Sequence, residues 1–203
     1  MITKETFFKL VNKTNNLESN LYDSFLSIDH NKRDVWNYIP FRHANSLWEV
    51  LQALKVEFPG RKNLGFLDVG AGSGRIVHIM KKTGLFSKVC GVEFHKPYVN
   101  FGRKLYKLNS TELICKDAFT VDREFLKDIH MIYTYMPIRD KNIMGNLHNY
   151  LWNCSLADRV MVEMYPVYYP VNVLSYTDKN LLINKKGDFQ ACMIKKTWQE
   201  KIS

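Results

Sequence analysis

Phe66-Leu67-Asp68-Val69-Gly70-Ala71-Gly72-Ser73-Gly74-Arg75-Ile76-Val77 reads as a buried strand that breaks into a glycine turn and then a helix. Glycines alternate at 70, 72 and 74. Without a Cβ, such a turn takes positive φ angles and lets main chain approach a ligand closely. The helix behind it presents unpaired N–H groups to the same place. A dinucleotide-binding turn of the form G-x-G-x-x-G needs glycine at 75, where this chain has Arg75, and that weakens an NAD or FAD reading.

Nineteen residues beyond Gly74, Lys88-Val89-Cys90-Gly91-Val92-Glu93 reads as a second short strand ending in a carboxylate. In a doubly wound sheet an acid there faces the ligand crevice. Its two oxygens suit a pair of hydroxyls. A third strand, Glu112-Leu113-Ile114-Cys115, leads into Lys116-Asp117-Ala118-Phe119.

Asp68-x-Gly70-x-Gly72-x-Gly74, Glu93 and Asp117-Ala118, in that order and spacing, resemble the cofactor motifs of class I S-adenosylmethionine-dependent methyltransferases. The resemblance implies a turn of Gly70, Ala71, Gly72 and Gly74 cradling the methionine end of S-adenosyl-L-methionine, with Asp68 near its ammonium group. It also implies Glu93 on the ribose with Phe94 beside it, Asp117 and the Ala118 N–H on the adenine edge, and Phe119 as an apolar wall. Tyr38-Ile39-Pro40-Phe41-Arg42, the stretch Gly74-Arg75-Ile76-Val77 and the short chain are similar to small lysine methyltransferases of the ATP synthase c-subunit type. That likeness implies Tyr38 closing over the cofactor, with Arg42 nearby.

The rest of the chain is organised by period and punctuation. Apolar residues at helical spacing (Phe7, Phe8, Leu10, Val11, Leu17, Leu21) predict one or two helices between Lys4 and Leu26, and Leu47, Trp48, Val50, Leu51 and Leu54 predict another over 45–56, ended by Pro59-Gly60. From 64 onward strands (64–69, 88–93, 112–116, 129–135, 158–164) alternate with helices (73–83, 96–108, 121–127, 140–153). Two strand-like runs, 180–184 and 191–195, flank Lys185-Lys186-Gly187-Asp188-Phe189-Gln190 and predict a hairpin. The expected fold is α/β: a three-layer, doubly wound, mostly parallel seven-stranded sheet with an antiparallel C-terminal hairpin and N-terminal helices. We divide it into an N-terminal helical cap, 1–60, and a cofactor-binding domain, 61–203, folded as one unit. Tyr165-Pro166-Val167-Tyr168-Tyr169-Pro170 stands where the family places a helix.

The fourth strand ends in Tyr133-Thr134-Tyr135-Met136-Pro137, the position of the family's acceptor motif. Amino-methylating nucleic-acid enzymes carry Asn/Asp-Pro-Pro-aromatic there. This chain has neither that acid nor the first proline, so adenine or cytosine amino methylation loses weight. Tyr133, Tyr135 and Pro137 are the expected catalytic residues, the phenols offering hydrogen bonds and aromatic edges to an amine or cationic acceptor, with Glu163 as a candidate base.

Composition narrows the partners. Lys and Arg number 29 against 20 Asp and Glu, a formal net charge of +9. An acidic or phosphate-rich partner suits such a surface, and Lys81-Lys82, Arg103-Lys104-Lys107, Lys185-Lys186 and Lys195-Lys196 are its densest groups. No apolar run approaches the roughly 18–20 residues of a membrane span, and Met1–Thr6 leads into no signal-peptide core, so a cytoplasmic protein is expected. Cys90, Cys115, Cys154 and Cys192 form no C-x-x-C pair and are expected to be buried free thiols. The six histidines (30, 43, 78, 95, 130, 148) show no H-x-x-x-H and no cysteine clustering, so no metal is expected. Three functions stay open: methylation of a protein amine such as lysine, which we favour; methylation of nucleic acid by way of the basic surface; and cofactor binding without turnover, as a regulatory subunit.

Overall fold

The computed structural model describes residues 2–21, 44–61, 63–135, 138, 140–155, 159–166, 181–186 and 189–196. Helix α1 runs Lys4–Ser19, capped by Thr3, whose hydroxyl accepts from the Thr6 N–H at 3.2 Å. Helix α2 spans Ala44–Glu57. Then β1 (Leu64–Val69), α3 (Arg75–Thr83), β2 (Phe86–Glu93), α4 (Lys96–Tyr106) and β3 (Leu113–Cys115) follow in alternation. A 3₁₀ turn at Ala118–Thr120 and the short α5 (Arg123–Leu126) lead to β4 (Met131–Thr134), α6 (Lys141–Cys154) and β5 (Arg159–Pro166). Strands β6 (Leu181–Lys186) and β7 (Phe189–Lys196) come last.

The strand order is β3-β2-β1-β4-β5-β7-β6. The first five run parallel, while β7 lies antiparallel to both β5 and β6. Because the chain moves outward from β1 through β2 to β3 and then returns to β4 on the other side of β1, the order reverses between β1 and β4. Crevices for ligands open at such a reversal, outside the carboxyl ends of the strands.

Two apolar layers hold the sheet. On one face Leu64, Phe66, Met131 and Tyr133 pack with Phe7 and Val11 of α1, Leu47, Leu51 and Leu54 of α2, and Ile76, Ile79 and Met80 of α3. On the other, Leu67, Val69, Cys90, Val92 and Ile132 meet Leu126 of α5 and Leu147 and Leu151 of α6. Each fully buried side chain of this size contributes about 1.5–3 kcal/mol. The N-terminal helices thus share the core of the sheet.

Several expectations are corrected. Leu17 is exposed; the buried face of α1 is Phe7, Val11, Thr14 and Glu18, which follows the i, i+4, i+7, i+11 stripe and ends in a carboxylate. Cys115 is an exposed thiol, since it lies on the edge strand β3, whereas Cys90 is buried between sheet and helices. Tyr165 and Pro166 belong to β5 rather than to a connection; residues 167–170 lie outside the described ones, as do 187 and 188 of the hairpin. The basic groups are partly occupied: Lys81 pairs with Glu112, and the Arg103 guanidinium donates to the Leu113 carbonyl at 2.8 Å. No described helix is long and apolar enough to cross a membrane.

Candidate cofactor site

At the carboxyl end of β1, Gly70, Gly72 and Gly74 all take positive φ (75°, 54° and 75°). The N–H groups of Gly70 and Ala71 both donate to the Val92 carbonyl, at 2.9 and 3.0 Å, and Gly74 N–H closes the turn on the Ala71 carbonyl at 2.8 Å. Gly72 and Gly74 do different work. Among the described residues, a Cβ placed on Gly72 meets no atom within 4 Å beyond its own chain neighbours. One on Gly74, the left-handed cap of α3, would strike Leu108 and Leu113 at 2.8 and 3.0 Å, so that glycine serves packing. Open space lies in front of Gly72.

Glu93 ends β2 beside this turn. One carboxylate oxygen accepts from the Gly72 N–H at 2.9 Å and the other from the His95 N–H at 2.8 Å. An oxygen in this state keeps a second lone pair, so the group still has acceptors for two hydroxyls while it braces the turn. Phe94, next in the chain, is 75% exposed, an uncovered aromatic ring at the same edge. The end of β3 joins there, since Lys116 N–H donates to the Glu93 carbonyl at 3.0 Å. Asp117 is exposed and caps the 3₁₀ turn, one oxygen accepting from the Phe119 N–H at 2.9 Å. Phe119 packs on Tyr150, with ring centroids 5.8 Å apart.

Asp68 lies beneath the turn, 3% exposed, in register with Gly91 on β2 and Tyr133 on β4. Burial first, and then the neighbouring Glu93 carboxylate, push its carboxyl up to about 8, against the pull of Arg75. In the folded protein it therefore keeps its proton over a range where the unfolded chain, with an ordinary value near 3.8, has lost it. The stability this gives is complete below about pH 4 and drains away as the pH rises toward 8. Asp68→Asn is expected to flatten that slope. Thermal melts from pH 5 to 8 check it: equal pH dependence in wild type and variant would refute the assignment.

Across the reversal point, β4 carries Tyr133, and Tyr135 follows its end. Tyr133 is 1% exposed and packs on Phe66, and burial, with Asp68 and Tyr135 nearby, holds its phenol well above the ordinary range. Its ring belongs to the core cluster formed with α1 and α2. Tyr135, just past the strand end, is half-buried against the same core. Glu163 stands in register with Thr134 on the neighbouring strand. Tyr38, Arg42 and Pro137 lie outside the described residues.

The sequence reading passed over the residues that hold the turn in place. A Cβ on Gly91 would meet Ala71 and Val77 at 2.6 Å, and one on Gly102 would sit 1.9 Å from the Ser73 carbonyl oxygen. Both glycines let a neighbouring element approach the turn. Glu18, reaching in from α1, bonds Ser73 and Arg75. Its signal was a carboxylate in the buried stripe of an amphipathic helix.

No protein-family model and no curated protein matches this chain. Among solved structures, an rRNA methyltransferase from Streptomyces viridochromogenes matches with a TM-score of 0.55 and 13% identity, over 77% of this chain and 86% of its own. A ribosomal protein L11 methylase from Lactobacillus delbrueckii subsp. bulgaricus gives 0.52 and 16% over 76% and 80%. MtNAS, solved in complex with S-adenosylmethionine, gives 0.60 and 13% over 93% and 75%. The chain shares its fold with these methyltransferases. Within that methyltransferase fold, the glycine turn, Glu93 and Tyr135 lie around the point where the strand order reverses.

Proposed function

We propose that the protein is an S-adenosylmethionine-dependent methyltransferase, its cap at 1–60 and its cofactor domain at 61–203. The observation that carries this is the bare, left-handed Gly72, facing open space with Glu93 braced against its N–H. A cradle that a side chain would fill, beside a carboxylate with acceptors to spare and an uncovered Phe94, fits an adenosyl group. The resemblance of the motifs and the methyltransferase fold add to it. Free thiols at Cys90, Cys115 and Cys154 suit the reducing cytoplasm.

In this reading Gly70, Ala71, Gly72 and Gly74 shape the bed for the methionine end, and Glu93 takes the ribose hydroxyls. Phe94 covers the adenine face, while Asp117 and the Ala118 N–H meet its edge. Asp68 answers the ammonium group. A cation beside it favours the carboxylate, so ligand binding below pH 8 releases a proton. S-adenosylmethionine, when bound, supplies a methyl group already activated on sulfur. The chain's own share is then chiefly to align the acceptor, and alignment contributes up to roughly 7–11 kcal/mol in well-oriented reactions. Tyr135 stands on the acceptor side, where Pro137 is expected as well. A lysine nitrogen would attack only after losing its proton, for which Glu163 is the candidate base; the new N–C bond would form as the methyl–sulfur bond breaks and S-adenosylhomocysteine leaves.

The acceptor we favour is a protein amine, a lysine side chain, since the strand-end motif lacks the acid and first proline of the nucleic-acid amino methyltransferases. A nucleic-acid acceptor is the second reading, favoured by the net charge of +9. Incubation with radiolabelled S-adenosylmethionine and a lysate, followed by nuclease or protease digestion, separates them. Label lost to protease supports the first, label lost to nuclease the second, and no label in either fraction overturns methyl transfer. Glu93→Ala removes the ribose acceptor and the brace on Gly72 together. Charged hydrogen bonds contribute about 1.5–3 kcal/mol each, so S-adenosylhomocysteine binding is expected to weaken by roughly ten- to a hundredfold on calorimetry. Unchanged affinity would remove Glu93 from the site.

A further inference from the structure

Helix α1 ends its buried face on Glu18, only 5% exposed, where the stripe of Phe7 and Val11 leads one to expect an apolar residue. Both carboxylate oxygens are engaged. One oxygen accepts from the Ser73 hydroxyl and from the Tyr106 hydroxyl, each at 2.6 Å, and the other pairs with the Arg75 guanidinium at 2.9 Å. Asn15, one turn earlier on α1, accepts from the same guanidinium at 3.3 Å. Ser73 and Arg75 flank Gly74, so Glu18 grips both ends of the step from glycine turn to helix. Tyr106 brings in the end of α4, and Gly102 of that helix lies directly against the Ser73 carbonyl.

A buried ion pair is a weak source of net stability, because desolvation offsets most of the attraction. What three charge-assisted contacts supply is geometry: short, directional bonds that fix where their donors sit. Two of the donors, Ser73 and Arg75, flank the last glycine of the turn, and the third, Tyr106, ends α4. We propose that Glu18 is a positioning residue for the cofactor turn, coupling the N-terminal helix to ligand binding. This rests on the methyltransferase reading for the identity of the ligand, though not for the effect on the turn itself. Coupling is reciprocal. A ligand that orders the turn therefore also holds α1 down, and loss of Glu18 loosens the turn whether or not a ligand is present.

Hydrogen exchange on the full-length protein tests it. In ligand-free Glu18→Ala, amides of residues 72–76 are expected to exchange at least tenfold faster than in wild type, while those of β1 and β4 keep their protection. S-adenosylhomocysteine is expected to slow exchange in α1 of wild type but not of the variant, and to bind the variant at least tenfold more weakly. Glu18→Gln, which keeps an acceptor for the two hydroxyls but loses the charge on Arg75, is expected to recover part of that affinity. If Glu18→Ala does not fold, Ser73→Ala and Tyr106→Phe each remove one donor and are expected to speed the same amides. Wild-type exchange across 72–76 in the folded variants overturns the positioning role. Wild type that fails to bind S-adenosylhomocysteine overturns the ligand assignment instead, and the ligand-free exchange comparison still decides Glu18.

Discussion

Gly72→Val is expected to abolish S-adenosylhomocysteine binding, a loss of at least a hundredfold by calorimetry, in a protein that still folds. Two effects act in the same direction. At φ +54° the position is left-handed, where a β-branched side chain costs roughly 1–2 kcal/mol. The first response of the chain is thus to leave the conformation that aims the Gly72 N–H at Glu93. Should it stay, the added methyl groups stand in the open space before the turn, because among the described residues no atom beyond the chain neighbours lies within 4 Å of the Cβ position. Gly72→Ala separates the effects. It bears most of the strain with little of the bulk, and an intermediate loss is expected. Binding of Gly72→Val within threefold of wild type would show that the space before the turn is not the ligand's.

The path from sequence to fold was clear where local chemistry and tertiary demand agree. Leu64–Val69 is apolar enough to be buried on both faces, and the strand occupies that range. Gly74 and Gly84 bracket α3 because each takes a left-handed φ that other residues avoid. The bounds of β2 and β4 were less clear. Phe86 and Ser87 extend β2 ahead of the expected start at Lys88, and no apolar period announces them. Asp117 was legible as an acid after β3, but the Asx turn it makes with Phe119 is set by the 3₁₀ turn that follows.

The candidate site divides in the same way. Residues that face a ligand belong to a short, contiguous motif, and motifs can be read along the chain. Residues that hold the motif in place come from far away in sequence: Glu18 lies 55 positions before Ser73, and Gly102 lies in a different helix. Nothing near either one advertises its partner. Tyr133 shows the converse dependence: the packing of α1 and α2 over its face of β4 buries the ring, and no residue beside it announces that.

Gly102→Ala is therefore the harder variant to anticipate and the more informative one. In an ordinary helix interior the change would stabilise by roughly 0.8–1 kcal/mol, since alanine is the better helix former. Here the new Cβ falls 1.9 Å from the Ser73 carbonyl oxygen, 2.6 Å from its carbon and 3.0 Å from Leu113 Cδ2. The nearest atoms are backbone, so no side-chain rotation relieves the clash. Either α4 backs away from the turn or the peptide between Ser73 and Gly74 is displaced, and overpacking of this kind costs about 1–3 kcal/mol. The clash outweighs the propensity, and the melting temperature is expected to fall by several degrees. Gly145→Ala on α6 is the matched control: among the described residues its Cβ meets nothing within 4 Å, so the same substitution is expected to raise the melting temperature. Binding should part the two further, at least tenfold weaker for Gly102→Ala and unchanged for Gly145→Ala. If Gly102→Ala melts and binds like its control, α4 does not press on the turn as described, and the support attributed to Gly102 and Tyr106 is lost with it.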